Sequence, residues 1–239
     1  KDLNYSTSFF HGAPNGSMGF LGLSNILGFD NYFGKNEFND NSLYDGYWGI
    51  WDEPFLGFMK NKIDNFEEPF FATFFSLSSH EPFKVPKKYE NVFPKGNVDM
   101  HQVIGYSDNA LKTFFNTSKN ESWFKNTLFI ITADHCNQFW YPYYRNPLNR
   151  FAIPIMFYHP NNSFNGINNE LSQQLDIFPS VVDLIGYSKP INTWGRSLFS
   201  NKPDQPFSIN FSGTVYRFTM NDYNLVFDGD KVIEVYSID

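Results

Sequence analysis

Phe70-Phe71-Ala72-Thr73-Phe74-Phe75-Ser76-Leu77 is an almost unbroken apolar run, bounded by Pro69 on one side and Ser78-Ser79 on the other. The run is too short for an ordinary helix and shows no polar alternation. It reads as a strand buried on both faces, the signature of a parallel sheet covered by helices. Its neighbours follow the same logic. Upstream, Asp52-Glu53-Pro54 opens a helix, with Asp at the cap and Pro in the first turn, and Phe55, Phe58, Met59 and Ile63 fall on one face to about residue 63. Downstream, Met100 to Asn116 places Val103, Ile104, Leu111, Phe114 and Phe115 at helical spacing. Leu128-Phe129-Ile130-Ile131-Thr132 is a second buried strand, and Ile153 to Tyr158 a third.

Toward the ends the pattern continues. Tyr5 to Phe10 is a short strand closing on His11-Gly12, and Met18 to Leu27 is helical with Gly28 as its cap. Asn31 to Tyr47 is polar and reads as surface loop, and Leu171 to Ile185 is a helix ended by Gly186. Strands alternating with helices predict an α/β sandwich around a largely parallel sheet. After Pro203 the chain changes character. Phe207 to Phe211, Thr214 to Met220, Tyr223 to Phe227 and Lys231 to Tyr236 are short strands, the last three separated by the tight turns Asn221-Asp222 and Asp228-Gly229-Asp230. Residues 1–203 therefore read as one α/β portion and 204–239 as an antiparallel β-meander.

Composition bounds the function. The 239 residues carry a net charge of −7, which argues against a nucleic-acid partner, since such proteins cluster Lys and Arg. Aromatics make up 20%, with 29 Phe, so Phe does the core packing. Cys136 stands alone, which excludes an intramolecular disulfide and a four-cysteine zinc site. No apolar run reaches the 18 residues of a membrane span.

Ligands of parallel α/β sheets bind beyond the carboxyl ends of the strands. Three of the five histidines, His11, His80 and His135, follow strands in that way. Asp134-His135 is the sharpest pair, because carboxylate oxygen and imidazole nitrogen both ligate Zn²⁺ or Mn²⁺. Two ligands are too few for a site, so the rest must come from elsewhere. His101 and His159 read as surface or capping residues, Asp52-Glu53 as helix-cap chemistry, and Phe139-Trp140-Tyr141-Pro142-Tyr143-Tyr144-Arg145 as loop packing or an aromatic lip over the site.

Thr132-Ala133-Asp134-His135 after an apolar strand resembles the metal-binding signature of the alkaline phosphatase and sulfatase superfamily. The lipoteichoic acid synthase-like branch is resembled by further segments in the same order. These are Phe9-Phe10-His11-Gly12 with Asn15 to Phe20, then Gly28-Phe29-Asp30 and Trp48-Gly49-Ile50-Trp51-Asp52-Glu53. Pro69 to Phe83 through Ser79-His80-Glu81-Pro82, Tyr106 to Leu111, Trp123 to Thr127 and Gln174 to Pro179 follow. The resemblance implies Asp134 and His135 as ligands of one divalent ion, Mn²⁺ or Mg²⁺ first and Zn²⁺ or Ca²⁺ next. It implies His80 as the catalytic and substrate contact at a phosphate or sulfate group, and His11 and Asn15 as substrate-binding residues of the pocket lining. Lipoteichoic acid synthases carry a substrate-contacting Trp and Arg after the His-Gly pair, where this chain has Met18 and Phe20.

The superfamily's nucleophile and an acidic metal ligand lie upstream of such segments. Nothing before Tyr5 supplies them, and Cys136 does not fit the sulfatase Cys-x-Pro-x-Arg pattern. The resemblance thus implies a soluble C-terminal fragment of an extracytoplasmic, membrane-anchored hydrolase or transferase. The missing N-terminal half of the domain is its expected partner, along with a phosphate- or sulfate-ester substrate, a membrane lipid headgroup among the candidates. A degenerate, non-catalytic glycan- or lipid-binding member of the same fold is the alternative.

Overall fold

The computed structural model describes residues 3–161, 164–200 and 205–238. The expected boundary between 1–203 and 204–239 lies outside the described residues. The described residues form two compact units, one of residues 3–128 and 159–161, the other of residues 129–158, 164–200 and 205–238.

The first unit is built on β1 (Ser6–His11), the middle strand of a parallel three-stranded sheet. Its neighbours are β2 (Asn31–Phe33) and β3 (Phe70–Phe75), with Phe9 opposite both Tyr32 and Thr73. Parallel neighbours need crossover connections. These contain α1 (Phe20–Leu27) between β1 and β2, and α2 (Lys35–Phe38) with α3 (Asp52–Ile63) between β2 and β3. A longer helix, α4 (Met100–Ser118), packs on α3. The core is aromatic, as the composition requires. Phe10 is fully buried, with ring centroids 4.8 Å from Phe33 and 6.5 Å from Phe58 and from Phe66.

Two readings of this unit change. Asn31 to Phe33, taken as loop, is the edge strand β2; three residues are too few for a period-2 signal. The Phe70 run is not buried on both faces. Among the described residues β3 pairs only with β1, and Phe71 is 47% exposed.

The second unit holds β4 (Phe129–Thr132), β5 (Ile155–Tyr158) and α5 (Ile177–Leu184). Here the expectation of parallel strands is corrected for this pair. β4 and β5 run antiparallel, with Phe129 opposite Tyr158 and Thr132 opposite Ile155. The connection between them carries only the short 3-10 turns Pro142–Arg145 and Asn149–Phe151, not a crossover helix. The helix expected from Leu171 starts as α-helix only at Ile177, after the 3-10 turn Gln174–Asp176. The C-terminal meander forms as expected, in the order β6 (Phe207–Ser212), β7 (Val215–Met220), β8 (Tyr223–Phe227), β9 (Val232–Ser237), all antiparallel.

Candidate active site

The Asp134-His135 pair sits where β4 ends. The Asp134 carboxylate accepts the His135 backbone N–H at 2.9 Å, which turns the chain out of the strand. That turn does what a continuing strand cannot and brings both side chains to one side, with Asp134 Oδ2 3.5 Å from His135 Nε2. The segment is tied down by Gln174, whose Nε2 donates to the carbonyls of Ala133 at 2.9 Å and Asp134 at 3.0 Å. His135 Nδ1 lies 2.8 Å from the Cys136 carbonyl, which can only accept, so Nδ1 carries the hydrogen. Nε2 is then the nitrogen that faces the carboxylate oxygen. Imidazole nitrogen and carboxylate oxygen both ligate divalent ions, so the chemistry of the pair fits such an ion, as it also fits a shared proton. Both side chains are solvent-accessible, at 62% and 65% exposed.

A cavity of about 290 Å³ opens on this pair, lined also by Arg150, Gln174 and Asn210. Arg150 brings a guanidinium to it, 5.3 Å over the Phe139 ring. Cys136 lines the same cavity, but its Sγ donates to the Ala152 carbonyl at 2.7 Å and burial pushes its pKa up. A thiol so held is a poor nucleophile. Among the described residues no cluster of three or more His, Cys, Asp or Glu that could hold a metal ion forms, so Asp134 and His135 stand as a pair with no third such side chain beside them. Arg150 and Asn210 were missed from the sequence, having no motif and coming from separate segments. Gln174 opens a family-like segment, yet its contact to the Asp134 backbone is visible only in the fold.

The other three expected site residues lie in the first unit. His11 ends β1 and is fully buried, edge-on to Phe20 at 4.8 Å and Phe75 at 5.6 Å. Its Nδ1 is 3.1 Å from the Tyr32 hydroxyl, and burial lowers its pKa to about 4. Asn15 donates to both oxygens of Glu37, at 2.9 and 3.1 Å, and Glu37 accepts the Gly34 N–H at 2.7 Å. That is a tie between two turns. His80 is exposed beyond β3, its ring 4.1 Å from that of Trp48. The remaining readings resolve simply. His101 and His159 accept the backbone N–H of Asn97 and Asn161, which are capping roles. Arg145 donates to the carbonyls of Phe139 and Trp140, so the aromatic strip packs its own loop while Trp140, Tyr141 and Tyr143 stay exposed.

The model of the family described as Sulfatase matches residues 1–187. The chain belongs to the sulfatase family. Sulfatase-family membership makes it kin to phosphoryl- and sulfuryl-transfer enzymes. The lipoteichoic acid synthase-like protein YvgJ of Bacillus subtilis is 24% identical over 93% of the chain and 39% of the relative. Lipoteichoic acid synthase of Staphylococcus aureus is 27% identical over 73% of the chain and 30% of its own length. This sulfatase-family chain thus spans well under half of the curated relatives it matches. Its fold is that of an alkaline phosphatase superfamily protein from Vibrio parahaemolyticus, with TM-score 0.80 and 22% identity over all of the chain and 61% of that structure. It is also that of the lipoteichoic acid synthase LtaP from Listeria monocytogenes, with TM-score 0.76 and 19% identity over 99% of the chain and 64% of that structure.

Proposed function

We propose that this chain carries the metal-binding and ester-contacting part of a divalent-metal-dependent phosphoryl or sulfuryl ester hydrolase or transferase. Its substrate class is a phosphoglycerol-type envelope lipid or glycan. The observation that carries the reading is His135 Nε2 standing 3.5 Å from Asp134 Oδ2, with His135 Nδ1 occupied by the Cys136 carbonyl. A divalent ion held by that pair, Mn²⁺ or Mg²⁺ before Zn²⁺ or Ca²⁺, would supply Lewis acidity toward the oxygens of the ester. His80 offers a solvent-facing imidazole to the esterified group or its leaving oxygen. Arg150 adds a permanent positive charge beside Asp134 and His135, suited to an anionic ester.

The nucleophile and a further acidic ligand are assigned to sequence beyond these 239 residues, a reading supported by the length of the relatives. Residues 1–203 then belong to the catalytic domain and 204–239 to the meander. The whole protein is placed outside the cytoplasm on a membrane anchor; among the described residues no helix is long and apolar enough to cross a membrane. Met18 and Phe20, where lipoteichoic acid synthases carry Trp and Arg, favour a second reading as a non-catalytic glycan- or lipid-binding member.

Titration of the chain with Mn²⁺, followed by electron paramagnetic resonance, tests the ligand pair. Weak binding is expected, lost in Asp134→Ala and in His135→Ala. Turnover of bis(p-nitrophenyl) phosphate and p-nitrophenyl sulfate by the chain alone is expected to be negligible. Mn²⁺ binding that survives both substitutions would remove the metal assignment, and ordinary turnover would place the nucleophile inside the chain.

A further inference from the structure

His80 lies on a short loop whose two ends are held by one other segment, residues 45–52. On the amino side, Asp52 is 3% exposed and its carboxylate accepts the N–H of Leu77 at 2.9 Å and of Ser78 at 3.2 Å. The Asp52 N–H donates back to Ser78 Oγ at 2.9 Å. On the carboxyl side, the Trp48 indole N–H donates to the Glu81 carbonyl, and its ring lies against the His80 imidazole. The same Glu81 carbonyl is 3.3 Å from His80 Nδ1, so a hydrogen on Nδ1 leaves the Nε2 lone pair facing outward. Trp48 is fixed in turn, because Asp45 accepts the N–H groups of Tyr47, Trp48 and Gly49 at 2.8, 2.8 and 3.1 Å. The two segments are also in close approach. A Cβ at Gly49 would lie 2.6 Å from Leu77 Cδ1 and 2.6 Å from the Gly12 carbonyl oxygen.

A buried carboxylate that merely started a helix would be spent on its own first turn. Asp52 is the first residue of α3, with Trp51 at the cap, and its two oxygens are both spent on the loop that leads to His80. We propose that Asp52 and Trp48 are positioning residues for His80, a bracket that fixes where its imidazole stands and which nitrogen it presents to an ester. The inference rests on the proposed role of His80, but the bracket has readouts of its own.

The test uses the folded chain with ¹⁵N-labelled histidine. In the unsubstituted chain a predominant Nδ1–H tautomer of His80 is expected, together with an upfield shift of its ring protons from the Trp48 ring. Protonation of His80 should quench the Trp48 fluorescence, a step absent in His80→Gln. In Asp52→Asn, which faces an amide NH₂ toward a backbone N–H, the tautomer preference and the ring shift should fall by at least about half. The far-ultraviolet circular dichroism should stay native. Trp48→Phe keeps an aromatic ring but loses the indole N–H, and it should mix the tautomers even if Asp52→Asn fails to fold. A folded Asp52→Asn or Trp48→Phe chain with an unchanged tautomer overturns the bracket. In the full-length enzyme, Asp52→Asn should lower kcat about tenfold or more with little change in KM, as displacement of a reacting group does. If His80→Ala leaves full-length turnover intact, the role of His80 falls, while the tautomer measurements still decide the bracket.

Discussion

His11 and Asp52 are buried titratable residues whose environments act on stability in opposite directions. Burial holds the His11 pKa at about 4 against an ordinary 6.5. The unfolded chain therefore takes up a proton that the folded chain refuses, so the His11 contribution is full above pH 6.5 and is lost as pH falls toward 4. Asp52 is the reverse. Burial raises its pKa to about 6 from 3.8, despite the N–H groups of Leu77 and Ser78 that favour the charge. Its contribution is full below pH 3.8 and is lost as pH rises through 6. Each window is worth on the order of 3 kcal/mol, at about 1.36 kcal/mol per pKa unit. Between pH 4 and 6 the two slopes offset. Relative to the unsubstituted chain, His11→Asn should gain urea resistance on acidification from pH 6 to 4, and Asp52→Asn should lose it. Parallel urea midpoints for all three chains across that range would show that neither residue titrates as its burial demands. Both residues were legible as types at notable positions, but their burial was not, because a strand-end histidine reads the same whether it faces solvent or Phe20.

At the scale of elements, β1 and α1 show how local sequence and packing divide the work. Phe10 is held between Phe33, Phe58 and Phe66 with no exposed surface. Phe10→Ala should cost about 3–5 kcal/mol, since neighbouring rings of that size cannot close the space left behind. Gly28 ends α1 in the left-handed region at φ 79°, with its N–H and that of Phe29 satisfying the last carbonyls from Asn25 and Ser24. Gly28→Ala should cost about 1 kcal/mol. Thermal or urea denaturation of both variants checks the order. A Gly28→Ala loss as large as that of Phe10→Ala would mean that the helix end governs the unit. Most elements were legible from periodicity and turn residues, including all four strands of the meander. The direction of β5 was not. An apolar run has no polarity, and only the route of the 133–154 connection decides whether it returns parallel or antiparallel.

On the scale of the molecule, the meander is amphipathic with the unexpected face outward. Register places Ile209, Phe211, Tyr216, Met220, Tyr223 and Val235 on one face, at 37–60% exposed. The opposite face carries Ser208, Thr219 and Asn224, buried at 7, 1 and 3% exposed, with Asn224 donating to Thr219 Oγ1 at 2.6 Å. Using about 150–250 Å² for a full aromatic side chain, the open apolar face amounts to several hundred Å², at or above the largest patches soluble monomers usually show. The native chain should therefore bind the apolar dye ANS strongly and self-associate with rising concentration. The double variant Phe211→Ser, Tyr223→Ser should reduce both while leaving the fold intact. A native chain with no ANS signal and one concentration-independent mass would mean that this face is closed in solution.

The sequence by itself determined the family, the succession of strands and helices, the aromatic core and the Asp134-His135 pair. Each of these is written in local order: periodicity, turn residues, and a motif of adjacent residues. Tertiary structure decided the rest. It decided that β4 and β5 are antiparallel, that Arg150, Gln174 and Asn210 join the Asp134 cavity, and that Asp52 serves the His80 loop rather than its own helix. Those relations join residues from 16 positions apart, as Asp134 and Arg150, to 76, as Asp134 and Asn210. They follow from the path of the connections and from which polar groups find partners once buried, and no spacing along the chain encodes either.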